Sequence, residues 1–114
     1  MTFVNLTEHE INELISGVSV PPSGTIARIT TNTTVHRTVD NIPIVTTACT
    51  SVAGIPAPTK DTIYIVSNLV ADSLINYPEY ATRKDIVSPG KVSRQNNQPI
   101  GCRMFRGLSR AYEA

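Results

Sequence analysis

Aromatic side chains are scarce in this chain: no tryptophan, two phenylalanines and four tyrosines among 114 residues. The core must therefore be assembled from Ile, Val and Leu. Long apolar runs are missing too. None approaches the roughly 20 residues that a helix needs to span a bilayer, so no membrane is expected as a partner. The opening segment "MTFVNLTEHE" is acidic and has no basic flank before an apolar core, so no secretory signal is expected. Cysteine is limited to Cys49 and Cys102, too few for a disulfide framework. Both are expected to be reduced, in a cytosolic setting, and to act as small core hydrophobes.

Signatures of catalysis and cofactor binding are also lacking. His9 and His36 belong to no H-E-x-x-H, and no C-x-x-C occurs, so no metal site is expected. Ser67 lacks the G-x-S-x-G elbow of a hydrolase nucleophile. No carboxylate pair suggests glycoside chemistry. Neither G-x-G-x-x-G nor a P-loop is present, and no cofactor is expected.

Charge is sparse on average and uneven along the chain. Residues 1–82 hold three cations against seven acids, a net of −4; residues 83–114 hold seven cations against two acids, a net of +5. Five of those seven cations are arginine, the side chain suited to bidentate contact with phosphate. The positive segment reads either as a solvated tail or as an anion site, shared with an acidic surface on a neighbouring subunit. A net charge of +1 does not favour a nucleic acid polymer as partner.

What is present points to one α+β domain over residues 1–114. "MTFVNLT" reads as a strand. "HEINELI" reads as a helix with a Thr7/Glu10 capping box, or as a short strand that stops at Gly17. "VPPSG" is a turn. The Thr-, Ile- and Val-rich block from Thr25 to Val52 predicts two or three antiparallel strands in a meander, with turns at Asn32 and Asp40-Asn41. "DTIYIVSNLVADSL" is a buried strand running into the main helix, about 68–76, with Ser67 as its N-cap. Beyond it, "SPG" and "QNNQP" carry turn chemistry, "PIGCRMF" is a last strand and "RGLSRAYEA" a short terminal helix. One strand–helix junction without glycines is not a dinucleotide-binding unit.

The remaining chemistry lies in the arginines together with Tyr77 and Tyr80. Guanidinium groups and an aromatic ring suit a nucleotide, one holding phosphate and the other the base. Each residue also has a plain structural role: Tyr77 can plug the end of the helix, and Arg28 can face solvent from a strand.

"FVNLTEHEI", "PPSGTIARI", "IPIV", "VAGIPAPTKDTIYIVSNLVA" and "IGC" occur in this order across nearly the whole chain. Together they resemble a family of small phage proteins opening on an NLTPHxI-like motif, with Glu8 where that motif usually has proline. The family is similar to the Thoeris anti-defence sponges. The resemblance implies an oligomer, dimer or hexamer, in the host bacterial cytoplasm. It would sequester a cyclic ADP-ribose isomer made by a bacterial TIR protein, without cleaving it, and some members also take cyclic trinucleotides. It implies ligand contacts between protomers from Arg28, from Tyr80 or Tyr77, and from Arg103 or Arg106. The loop from Pro78 to Asn97 does not align residue by residue; Arg83, Asp85, Arg94 and Asn96 within it complete the candidate set. Two other expectations compete: an enzyme that degrades a nucleotide signal, and a small phage structural or interaction protein without a small-molecule ligand.

Overall fold

The computed structural model describes residues 1–96 and 98–113. In chain order it has β1 (Thr2–Asn5), β2 (Ile11–Asn12), β3 (Ser19–Val20), β4 (Arg28–Val39), β5 (Ile42–Ala53), β6 (Thr62–Ile65), α1 (Asn68–Leu74), α2 (Pro78–Ala81), β7 (Ile86–Gln95), β8 (Gln98–Gly107) and a 3-10 turn at Ser109–Tyr112. The α+β class expected from the sequence holds, and strands dominate.

The central sheet has the order β1-β6-β7-β8. β1 and β7 each run parallel to β6, while β8 returns antiparallel to β7. The antiparallel layout expected from sequence therefore describes the hairpins, and the sheet itself is mixed. The parallel step from β6 to β7 needs a crossover, which α1 and α2 provide. Their apolar residues cover one face of the sheet. Val70, Ala71 and Leu74 of α1 pack with Tyr64, Val66, Ile86, Leu6 and Leu108 in one cluster. Leu74 and Ile86 are fully buried, each contributing about 1.5–3 kcal/mol by removal from water. As the scarcity of aromatics required, this core is mainly aliphatic, with Tyr64 its one buried ring among the described residues.

Local chemistry sets the helix ends. Ser67 is the N-cap of α1, and its hydroxyl accepts a hydrogen bond from the Val70 amide at 3.2 Å. The expected helix over 68–76 stops at Leu74. Tyr77 precedes Pro78, and a residue before proline is pushed out of the helical region; Tyr77 is extended, with φ −115° and ψ 112°. Pro78 then starts α2 at a position where its missing amide hydrogen costs nothing.

Two regions depart further from expectation. The helix proposed for "HEINELI" does not form. Glu13 instead closes a tight turn, its carboxylate accepting from the amides of Ile15 (2.9 Å) and Ser16 (2.7 Å), and its own amide donates to the Val18 carbonyl. These bonds hold its carboxyl below the usual range, the Ser16 side chain contributing most. The turn folds β3 back onto β2, so the short-strand alternative is the one realised. The Thr25–Val52 block is not a meander but one hairpin of two 12-residue strands. Asn32 is no turn; it pairs with Ala48 in mid-strand. Asp40 and Asn41 do form the turn, at φ 50° and 64°, the left-handed pair of a type I′ hairpin.

"SPG" likewise lies inside β7 rather than in a turn. Gly90 is needed there for space: a Cβ would stand 2.9 Å from the Cγ atoms of Met104 and Arg106 on β8. The radius of gyration is 16.3 Å, against roughly 13 Å for a compact chain of this length. The β4–β5 hairpin is exposed along nearly all its length and forms an arm. Among the described residues no helix is long and apolar enough to cross a membrane.

Candidate functional site

The segment "NLTEHEI" forms a ridge between two cavities. Asn5, at the end of β1, is completely buried and builds this ridge. Its Nδ2 donates to the carbonyls of His9 (2.7 Å) and Val20 (2.9 Å). Its Oδ1 accepts from the Thr7 amide (2.9 Å) and the Thr7 hydroxyl (2.6 Å). The Thr7 hydroxyl also lies 2.9 Å from the His9 carbonyl. One amide side chain thus satisfies both sides of an irregular loop, as buried polar groups require. Leu6, between them, is a core anchor at 1% exposure. Thr7 does not cap a helix; it works inside this network. The chain is held so that Glu8, His9 and Glu10 stand out from the surface.

On one side of the ridge lies a cavity of about 520 Å³ against the β7–β8 hairpin. Ile11, Pro89, Val92, Ile100 and Cys102 give it apolar walls, and His9, Glu10 and Asn12 supply its polar groups. Gly101 permits the close approach of β2 to β8: a Cβ there would meet the Asn12 carbonyl oxygen at 2.7 Å. Burial pushes the Cys102 thiol up, so it presents itself as a neutral wall group.

On the other side lies a cleft of about 330 Å³. Its floor is aliphatic, from Leu6, Ile26, Ile29, Leu69 and Val70, and its rim carries Thr7, Glu8, His9, Arg28 and Ser67. Arg28 opens β4 with its side chain outward. Its Nη2 donates to Glu8 Oε1 at 2.9 Å, and the two side chains are 64% and 55% exposed. So wet a pair is worth about 1 kcal/mol or less, and a phosphate oxygen can replace the carboxylate at little cost.

The other expected site residues do not gather here. Arg83 is inside the protein, at 12% side-chain exposure. Its Nε and Nη2 hold Asp85 at 2.9 and 2.7 Å, its Nη1 donates to the Pro56 carbonyl, and it lies 6.0 Å from the Tyr64 ring centre. The Arg83 side-chain bonds hold the Asp85 carboxyl below its usual range. This pair ties the proline-rich connection to the helical layer. Tyr77 and Tyr80 sit 6.4 Å apart, centre to centre, and are half-buried. The Tyr77 hydroxyl reaches the Cys49 carbonyl at 3.2 Å, anchoring the base of the arm; its interaction with the Cys49 side chain raises its ionisation above the ordinary value. Arg94 and Asn96 lie exposed at the far end of the β7–β8 hairpin, Asn96 at φ 52°. Arg103 and Arg106 share β8 but differ by an odd number of residues, so they point to opposite faces. Arg106 contacts Asp72 and Ser88, each at 3.4 Å.

Within one chain, then, Arg28 alone of the expected set lines a ridge cavity. The sequence reading missed Asn5, His9 and Glu10 as site-builders. The signal was the "NLTEHEI" segment itself, where a buried Asn followed by Thr marks a loop pinned by side chains. Among the described residues no three His, Cys, Asp or Glu side chains come together as a metal cage.

Comparison of the chain with protein-family models, with curated proteins and with solved structures gives no match.

Proposed function

We propose that this protein is a non-cleaving binding protein that captures a small anionic nucleotide of the cyclic ADP-ribose type, as an oligomer. The observation that carries the reading is Arg28: an exposed guanidinium on the rim of an aliphatic cleft of about 330 Å³, engaged among the described residues only by a solvent-exposed carboxylate. A diphosphate displaces Glu8 from that guanidinium, and the base enters against Leu69 and Ile29. The segment resemblance to anti-defence sponges supports the same ligand class. Arg94 and Arg103 are exposed, and they complete an anion site only where two copies meet. In that arrangement the buried contact excludes water and strengthens each charge-assisted bond.

Isothermal titration with a cyclic ADP-ribose isomer tests the reading. Arg28→Ala weakens binding about tenfold or more, the loss of one charge-assisted contact. Glu8→Gln removes the competing carboxylate and tightens binding roughly twofold to fivefold. Heat absent in wild type, or unaltered by Arg28→Ala, overturns it. A second reading, a phage interaction protein without a small-molecule ligand, is favoured by the exposed apolar arm; in that case neither substitution has a binding phenotype.

A further inference from the structure

The two cavities flanking the ridge differ in charge. In the smaller cleft Arg28 and Glu8 neutralise each other. The larger cavity, of about 520 Å³, is lined by a carboxylate, Glu10, and among the described residues by no lysine or arginine. Glu10 has no counterion either: the ion pairs of the described residues are Arg28–Glu8, Arg83–Asp85 and Arg106–Asp72. The walls are apolar. Val92 pairs with Cys102 across the β7–β8 hairpin, and Ile100 lies two residues before Cys102 on the same face. Val92 and Ile100 are each 44% exposed, so branched side chains border this space in contact with water. The Oδ1 of Asn12 accepts from the Ser19 hydroxyl at 2.6 Å, which leaves its Nδ2 to donate to an oxygen of a guest. Volume and lining both match a small-molecule pocket: concave, mainly apolar, with a few polar groups that fix orientation.

We propose that this cavity is a second binding site, for an organic cation: a small molecule whose apolar ring or chain lies against Ile11, Val92 and Ile100 while its amine meets Glu10. Charge selects the class. A phosphate or carboxylate would face Glu10 with no cation to offset the repulsion, so the anions taken by the Arg28 cleft are refused here. A neutral apolar guest would cover the walls but gain nothing from Glu10. An amine gains from both. Its body leaves water, and its head stays beside an exposed carboxylate, partly hydrated, which spares it the cost of full burial. The Cys102 thiol at the back of the cavity is held neutral by burial and adds no second anion. The inference goes beyond the ligand reading and does not depend on it, since the two cavities share His9 but neither Glu10 nor Arg28.

Fluorescence titration at low ionic strength decides it. The probe is dansylcadaverine, a primary amine on a naphthalene body whose emission moves to the blue on leaving water. N-acetyl-dansylcadaverine is the matched neutral control and dansyl-6-aminohexanoate the matched anion. The amine is expected to give a saturable blue shift with a dissociation constant below about 100 µM. The neutral control binds about threefold to tenfold more weakly, and the anion more weakly still. Glu10→Gln lowers the affinity for the amine by the same about threefold to tenfold and leaves the neutral control unchanged. Glu79→Gln, which removes an exposed acid outside the cavity lining, leaves all three unchanged. Ile100→Arg places a cation in the wall and costs the amine about tenfold or more. Circular dichroism checks that each variant keeps its fold; should Ile100→Arg unfold, Val92→Arg replaces it with the same expected loss. No saturable shift, equal binding of the three probes, or a Glu10→Gln variant that binds the amine as wild type does overturns the inference.

Discussion

Replacing Asn5 by alanine removes the four hydrogen bonds that shape the ridge. Not all four partners are orphaned. The Thr7 hydroxyl and the His9 carbonyl still have each other, at 2.9 Å. The Thr7 amide loses its side-chain acceptor, and the Val20 carbonyl loses a buried donor. At about 1–3 kcal/mol for each unsatisfied buried group, the cost is roughly 2–4 kcal/mol once partial rescue by water is allowed. For a domain of this size each kcal/mol lowers the melting temperature by about 4 °C, so Asn5→Ala is expected to melt some 8–16 °C below wild type. Asn5→Asp sharpens the test. It keeps the shape and the acceptor facing Thr7 but turns an acceptor toward two carbonyl oxygens, and is expected to be at least as damaging. Chemical denaturation at matched protein concentration gives the free energies. Amide exchange should speed selectively from Leu6 to Asn12. A loss under about 0.5 kcal/mol for both variants would refute the claim that this one side chain holds the ridge.

Arg83→Met removes a part-buried charge-assisted pair and the bond to the Pro56 carbonyl, and is expected to cost about 1–3 kcal/mol in urea denaturation. The Asp85 carboxyl is held below its reference value of 3.8, so its contribution is present above that pH and is lost as acid titrates through the depressed folded value. The stability gap between wild type and Arg83→Met should therefore narrow below about pH 3.8; a gap constant down to pH 2 contradicts the pairing. Glu13 titrates in the same direction but is common to both proteins, so the difference isolates Asp85. Gly101→Val drives a branched side chain into the Asn12 carbonyl and Leu14 and should lower the melting temperature by 8 °C or more, at about 4 °C per kcal/mol of overpacking strain; an unchanged melting temperature would mean β2 and β8 are not in close contact.

Legibility in the sequence followed the range of the interactions. Ser67 and the Asp40-Asn41 turn were readable because caps and type I′ turns are decided within four residues. The aliphatic core followed from composition. Strand pairing was not readable. Thr-rich alternation says strand without saying how long, so the sequence reads as a meander with a turn at Asn32 where the fold has one hairpin of two 12-residue strands. The helix read in "HEINELI" lost to contacts that only the fold supplies, the β2–β3 pairing and the Glu13 turn. For the candidate site, the outward placement of Arg28 on a strand was legible in the alternation of Ala27, Arg28 and Ile29. Arg83 was drawn into the same set by its charge, yet its donors are engaged by Asp85 two residues on and by Pro56 far back in the chain. Charge alone does not separate an exposed arginine from one engaged within the fold.

The central claim is capture without cleavage, and one mass balance tests it most directly. Purified protein is mixed with a substoichiometric cyclic ADP-ribose isomer, the solution is ultrafiltered, and the filtrate is analysed by mass spectrometry before and after heat denaturation. The account predicts a filtrate emptied of ligand, then the same ligand released unaltered on heating. Ligand passing freely through the filter, or a product of different mass after heating, would contradict it.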